Sequence, residues 1–242
     1  MNHSNVNYYS HSSDFPESAI QRIPDGLVAA VDKGNSDFFS PLQIDFPNMY
    51  KALCDTNRVQ LQELVVNRET LLGEAVTDYI YSWSVTLEGE LQLIFNIPRF
   101  DLNSPVRKKS LLKYLPSLPP CMACFYQHMD GGKISEGIEF SGFDLPNGVS
   151  DWVSIHEYYM SSDLDSGDAL LLLDDLNGSD VRVVSTLRNG DFIVCQLGGI
   201  KRQLYWVALE NPTSAIAIPN PEVSFDRYYA CCVQEAPIDF PL

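Results

Sequence analysis

The 242-residue sequence lacks several features that would identify common protein classes. No run of about 18 apolar residues occurs, so we expect no transmembrane helix. The first 15 residues, MNHSNVNYYSHSSDF, have no apolar centre, which predicts the absence of a signal peptide and a cytoplasmic location. No G-x-S-x-G, P-loop or G-x-G-x-x-G motif is present, and His156-Glu157 is not followed by a histidine at position 160. With only four histidines in the chain, the sequence predicts a non-enzymatic protein without a cofactor.

Basic residues are scarce relative to acidic ones. The chain has 16 Lys and Arg against 32 Asp and Glu, for a formal net charge of −16. Residues 118–242 contain 18 acidic and only 6 basic residues. Such a surface repels nucleic acids and anionic membranes, and it attracts a basic protein partner. Solubility alone is the competing explanation of this charge.

The chain has six cysteines. Their positions are Cys54, Cys121, Cys124, Cys195, Cys231 and Cys232. In a chain without an export signal we expect thiols to stay reduced and most of them to pack as small apolar residues. Cys121, Cys124 and His128 have the residue types of a zinc or redox site, but zinc usually takes four ligands. We therefore predict no metal.

The segment LPPCMACFYQHMDGG, residues 118–132, has the pattern of a short amphipathic helix. Leu118, Met122, Phe125 and Met129 are spaced by four, three and four residues, which places them on one helix face. The proline pair suits the start of a helix and the glycine pair suits its end. We expect the apolar face to pack on a sheet formed by later strands.

Turn residues and the spacing of apolar residues divide the chain into three predicted regions. Residues 1–14 are predicted to be a disordered tail, and residues 15–106 a helix and hairpin region. Within the latter, Leu61, Leu64 and Val65 have helical spacing, and residues 79–95 read as a β-hairpin. The polar segment DLNSPVRKK predicts a boundary, after which residues 107–242 form the main domain.

The second half is rich in short apolar runs separated by turn residues. DALLLLDDL, VRVVSTL, DFIVCQLGG, RQLYWVALE and SAIAIP are predicted strands. RNGDF and NGSD are typical of turns between antiparallel strands. EVSFDRYYACCVQ is predicted to be a final amphipathic helix.

One segment concentrates acidic residues without any basic one. Its seven carboxylates are Glu157, Asp163, Asp165, Asp168, Asp174, Asp175 and Asp180. A calcium loop is one interpretation, but its glycine comes one position early and its twelfth residue is not glutamate. A solvated acidic surface fits better. We expect the first three aspartates in an exposed polar stretch and the last three at strand ends, and we predict that this set binds the partner.

The order of features from about Arg107 to Glu235 resembles the SUKH superfamily of Smi/Knr-like proteins. The matching segments are LPPCMACFYQHMDGG, LRNGDFIVCQLGG, RQLYWVALE and VSFDRYYACCV. The resemblance implies an α+β fold with a twisted antiparallel sheet backed by helices, here with an N-terminal extension. The extension would add to the sheet or form a partner-specific addition.

The resemblance also implies a function, because many members of this superfamily are immunity proteins. We therefore expect a cytoplasmic immunity protein that binds and neutralises a cognate bacterial toxin, basic in character, such as a nuclease. A scaffold or regulatory module of the same fold is the alternative, and an enzyme with an unrecognised site is a third. The sequence predicts neither the toxin nor the oligomeric state.

Overall fold

The computed structural model describes most of both halves of the chain. The described residues are 4–21, 23, 26–55, 59–69, 75–86, 92–96, 116, 118–120, 123, 132–134, 138–140, 153–162, 164–176, 180–187, 189–196 and 203–234. Asp163, Cys121, Cys124 and His128 lie outside them, as do Met122, Phe125 and Met129. Of the predicted helix from Leu118, the structure shows a buried Leu118 and a helical hydrogen bond from Ala123 N to Pro119 O of 3.1 Å.

Ten described strands form one sheet in which each strand pairs antiparallel with the next along the chain. They are β1 (Ser4–Tyr9), β2 (Gln60–Glu69), β3 (Ala75–Thr86), β4 (Gln92–Asn96), β5 (Gly132–Ile134), β6 (Ile138–Phe140), β7 (Val181–Thr186), β8 (Phe192–Gln196), β9 (Leu204–Val207) and β10 (Ile216–Ala217). The described helices are α1 (Glu17–Ile20), α2 (Leu27–Ala30), α3 (Asn35–Phe39), α4 (Pro47–Cys54), α5 (Ile155–Ser161), α6 (Ser166–Asp175) and α7 (Pro221–Val233). Two 3₁₀ turns span Ser12–Asp14 and Ser40–Leu42. The α+β class with an antiparallel sheet is confirmed.

The hairpin between β7 and β8 follows its sequence closely. Gly190 has φ +89°, a left-handed conformation that favours glycine, and Leu187 N donates to Asp191 O at 2.8 Å across the turn. The predicted strands VRVVSTL, DFIVCQLGG, RQLYWVALE and SAIAIP and the final helix are all present. DALLLLDDL, in contrast, is helix α6 rather than a strand.

The first part of the chain departs from the sequence-based expectations in two places. The disordered tail predicted for residues 1–14 is wrong for Ser4–Asp14, because β1 pairs along its whole length with β2, some sixty residues away. The helix predicted around Leu61, Leu64 and Val65 is also wrong, because these residues lie in β2. Pairing with strands on both sides outweighs the helical spacing of three apolar residues.

Helices cover both faces of the sheet at β7–β9, so alternate residues enter different cores. Ile193 and Cys195 of β8 pack in the larger core with the first four helices and α7, whereas Phe192 and Val194 pack under α5 and α6. The larger core joins residues from both sides of the predicted boundary, for example Phe39 and Phe225. The N-terminal region therefore extends the sheet and shares the core of the 107–242 region.

Candidate protein-binding surface

Helix α5 begins at a capping box that fixes the first predicted site residue. Ser154 Oγ accepts a hydrogen bond from Glu157 N at 3.3 Å, and Glu157 Oε2 accepts from Ser154 N at 2.9 Å and Ser154 Oγ at 2.7 Å. These hydrogen bonds from Ser154 lower the pKa of Glu157. Glu157 is therefore an exposed, charged carboxylate with a defined position.

The underside of α5 is anchored by a buried tyrosine. Tyr159 packs edge-on against Phe192 of β8, and its hydroxyl donates to Pro212 O in the loop before β10. Burial is the main cause that raises the pKa of Tyr159, so its hydroxyl stays protonated and keeps donating. Because Tyr159 faces the sheet, the side of α5 that carries Glu157 faces solvent.

Helix α6 begins at an aspartate N-cap and packs on the sheet through one apolar stripe. Asp165 Oδ1 accepts from Gly167 N at 2.7 Å, which makes Asp165 the N-cap. Ala169, Leu172 and Leu176 are buried at a spacing of three and four residues, the period of a helix. The opposite side of the helix faces solvent.

The structure describes six of the seven predicted site residues, all but Asp163, and separates them into three groups. Glu157, Asp165, Asp174 and Asp175 are exposed on the α5–α6 layer and Asp168 is half-buried there. Asp180 lies before β7, where its Oδ1 accepts from Arg182 Nε at 2.7 Å, so it already pairs with a cation of this chain. The expectation that Asp174 and Asp175 sit at strand ends is wrong, because both lie in the last turn of α6.

The position of Asp174 and Asp175 opposes the electrostatics of their own helix. The C-terminal end of a helix carries partial negative charge, and the last turn of α6 has no basic residue to offset the two aspartates. Asp175 Oδ2 accepts from Ala215 N at 3.0 Å, which gives that side chain a structural contact. Helix stability does not explain the charge at Asp174.

Sequence reasoning missed the apolar members of this surface. Met160, Leu170 and Leu171 are 70%, 60% and 54% exposed on α5 and α6. Reading DALLLLDDL as a strand placed its leucines in the core. In a helix, four consecutive leucines cannot all face inward, and this was the signal in the sequence that could have revealed them.

Three buried carboxylates elsewhere bind groups of this chain. Asp191 accepts from Trp206 Nε1 at 3.0 Å and Leu209 N at 2.9 Å, which ties the β7–β8 turn to the end of β9. Glu63 accepts from Tyr9 Oη at 3.0 Å and Asn7 Nδ2 at 3.0 Å across β1 and β2. The third is Asp226 on α7, which accepts hydrogen bonds from the start of α4. These hydrogen bonds give each carboxylate a role in the fold.

The described cysteines and metal-ligand residues suggest no other reactive site. Cys195 and Cys232 are buried, Cys54 and Cys231 are half-buried, and none of these four described cysteines forms a disulfide. Burial raises the pKa of Cys195 to about 12, so its thiol stays neutral at physiological pH. Within the described ranges, no cluster of three or more His, Cys, Asp or Glu side chains is arranged to hold a metal ion.

Comparison of the chain with protein-family models, curated proteins and solved structures finds no match. Among the described segments, none of the helices combines the length and the apolar character needed to cross a bilayer. The chemistry of the α5–α6 surface is therefore the guide to function.

Proposed function

We propose that the protein is a binding protein whose α5–α6 layer docks a basic protein partner. The observation that carries this proposal is the set of exposed carboxylates Glu157, Asp165, Asp174 and Asp175, in a segment without Lys or Arg. Complementary charge accelerates the encounter of two proteins and selects against acidic partners. The apolar residues between these carboxylates supply the contact area that charge alone lacks.

Within this class, the resemblance to the SUKH superfamily favours an immunity protein acting in the cytoplasm. Its partner would be a cognate bacterial toxin with a basic surface, such as a nuclease. Binding would block the active site of the toxin or access to it. A scaffold or regulatory module with the same docking surface is the second candidate, supported by the same exposed carboxylates.

The test uses the purified product of the adjacent gene as the partner. We expect one-to-one binding and loss of toxicity when both proteins are produced together. The variant Glu157→Gln/Asp165→Asn/Asp174→Asn removes three charges, and its amide side chains can still accept the capping hydrogen bonds. Stopped-flow association at low salt should slow by about tenfold, with little change in dissociation.

The matched control is Glu17→Gln/Asp55→Asn/Glu222→Gln, which removes three exposed carboxylates outside the α5–α6 layer. Equal slowing in both variants would contradict a localised acidic site and indicate an effect of net charge. Binding without protection from the toxin would favour the scaffold or regulatory function. No binding to the adjacent product would exclude that product as the partner and contradict the immunity function.

A further inference from the structure

The solvent side of the α5–α6 layer carries apolar side chains beside its carboxylates in a regular arrangement. Leu170 and Leu171 each have an aspartate four residues later, at Asp174 and Asp175. Residues four apart in a helix lie on the same side, one turn from each other. Each exposed leucine therefore has a carboxylate immediately beyond it, toward the end of α6.

Helix α5 repeats this combination with a spacing of three. Glu157 and Met160 lie one turn apart on α5, and both are exposed. The two helices pack as one layer on the sheet through Tyr159, Ala169 and Leu172. The outward sides of both helices therefore offer apolar area and negative charge together.

The exposed leucines and Asp174 do not benefit the folded chain by themselves. An exposed leucine has helix propensity similar to that of lysine or glutamate, so α6 would form equally well with a polar residue at positions 170 and 171. Asp174 opposes the helix dipole. A partner that covers the leucines and presents cations to the aspartates would favour both features.

We propose that Met160, Leu170 and Leu171 form the apolar centre of a docking surface for a protein segment with apolar side chains flanked by Lys or Arg. This inference rests on the proposed function and assigns the chemistry of its partner. Charge complementarity selects the occupant, because the carboxylates beside the leucines attract cations. A second copy of this chain, with a net charge of −16, and an anionic membrane are both repelled.

The test uses two fluorescent synthetic peptides of the same length and the same number of lysines. One has leucines flanked by the lysines on the same helix side, and the other has serines in place of the leucines. We expect the leucine peptide to bind at least about tenfold more tightly, because binding removes the apolar surface of its leucines from water. Leu170→Ser/Leu171→Ser should reduce its affinity to that of the serine peptide, measured by fluorescence anisotropy.

The matched control is Val223→Ser, since Val223 is an apolar residue on α7 with the same 54% exposure as Leu171. It should leave the affinity unchanged. Equal binding of the two peptides, no binding of either, or full affinity in the leucine variant would each overturn the inference. A dimer in sedimentation that the leucine variant abolishes would assign the surface to a second copy and overturn it as well.

Denaturation of the leucine variant distinguishes docking from burial within the chain. Unchanged stability supports an exposed surface, whereas a loss of several degrees in melting temperature would show that another segment covers it.

The inference and the proposed function fail separately. Leucine-dependent peptide binding without binding to the adjacent gene product would contradict only the immunity function. Binding of that product that depends on the carboxylates but not on the leucines would contradict only this inference.

Discussion

At the residue scale, Asp226 makes a contact that the fold needs. It is 4% exposed on α7, and it accepts from Met49 N at 2.8 Å and from Asn48 N at 3.1 Å. These N–H groups lie in the first turn of α4, where they have no acceptor within the helix. The N-cap residue, Phe46, has no side-chain acceptor for them. Asp226 thus caps α4 from another helix.

We predict that Asp226→Ala lowers the free energy of unfolding by about 2–3 kcal/mol, because it leaves buried donors without a partner. Urea denaturation monitored by circular dichroism measures this loss. Arg227→Ala, at the exposed neighbouring position, should change stability by less than about 0.5 kcal/mol. Equal stability of the two variants would contradict the capping role.

A turn that depends on its own residues can be predicted from the sequence, whereas a contact between distant residues cannot. Asn189-Gly190 predicts its own turn because the conformation depends on the glycine itself. The role of Asp226 depends on a residue 177 positions away, and nothing in FDRYY indicates which helix it caps. Similarly, Glu63 is an ordinary polar residue in the sequence but a fully buried one in the structure.

At the scale of elements, the capping box of α5 gives a pH-dependent prediction. Ser154→Ala should lower the free energy of unfolding at pH 7 by about 1 kcal/mol. The folded-state pKa of Glu157 is lowered by Ser154, so this stabilisation is present above the unfolded-state pKa of about 4.3. It is lost as the pH falls through the folded-state value.

The difference between Ser154→Ala and the natural protein should therefore shrink in acid. Denaturant titrations at neutral and acidic pH measure it. Ser161→Ala is the control, because Ser161 is an exposed serine at the other end of the same helix. A difference that stays constant with pH would show that the hydrogen bond from Ser154 Oγ to Glu157 contributes nothing to the cap.

Two elements show why periodicity alone can mislead. LLLL fits a buried strand or a helix, and the N-cap Asp165 followed by the burial of Ala169, Leu172 and Leu176 identifies the helix. The prediction of a strand here concealed the candidate site, because a buried strand would cover the leucines that α6 exposes. In β2 the apolar spacing suggested a helix, yet the neighbouring strands determine the structure.

At the scale of the whole molecule, strands β7–β9 belong to both cores. We predict that the protein unfolds in one cooperative transition despite its length, since either core loses a wall when these strands separate. Tryptophan fluorescence, circular dichroism and hydrogen exchange should give coincident midpoints. Separate transitions for the larger core and the α5–α6 layer would contradict this.

The α+β class and most strands of the second half could be predicted, because alternating apolar runs and turn residues are local signals. The division at residue 106 did not anticipate the shared core, since the presence of Phe39 and Phe225 in one core leaves no local trace in the sequence. The negative charge was evident from composition. Its distribution among α5, α6 and the Asp180–Arg182 pair required the structure.

The contact between α4 and Asp226 also has a consequence for synthesis on the ribosome. The chain emerges from its amino end, so Met49 and the apolar side chains around it leave the ribosome long before α7 does. Many domains begin to fold while their later residues are still being added. Here the larger core lacks Phe225 and Tyr229 until α7 has emerged. Until α7 has been synthesised, the larger core of the nascent protein is therefore incomplete, and apolar residues that α7 later covers are accessible to chaperones.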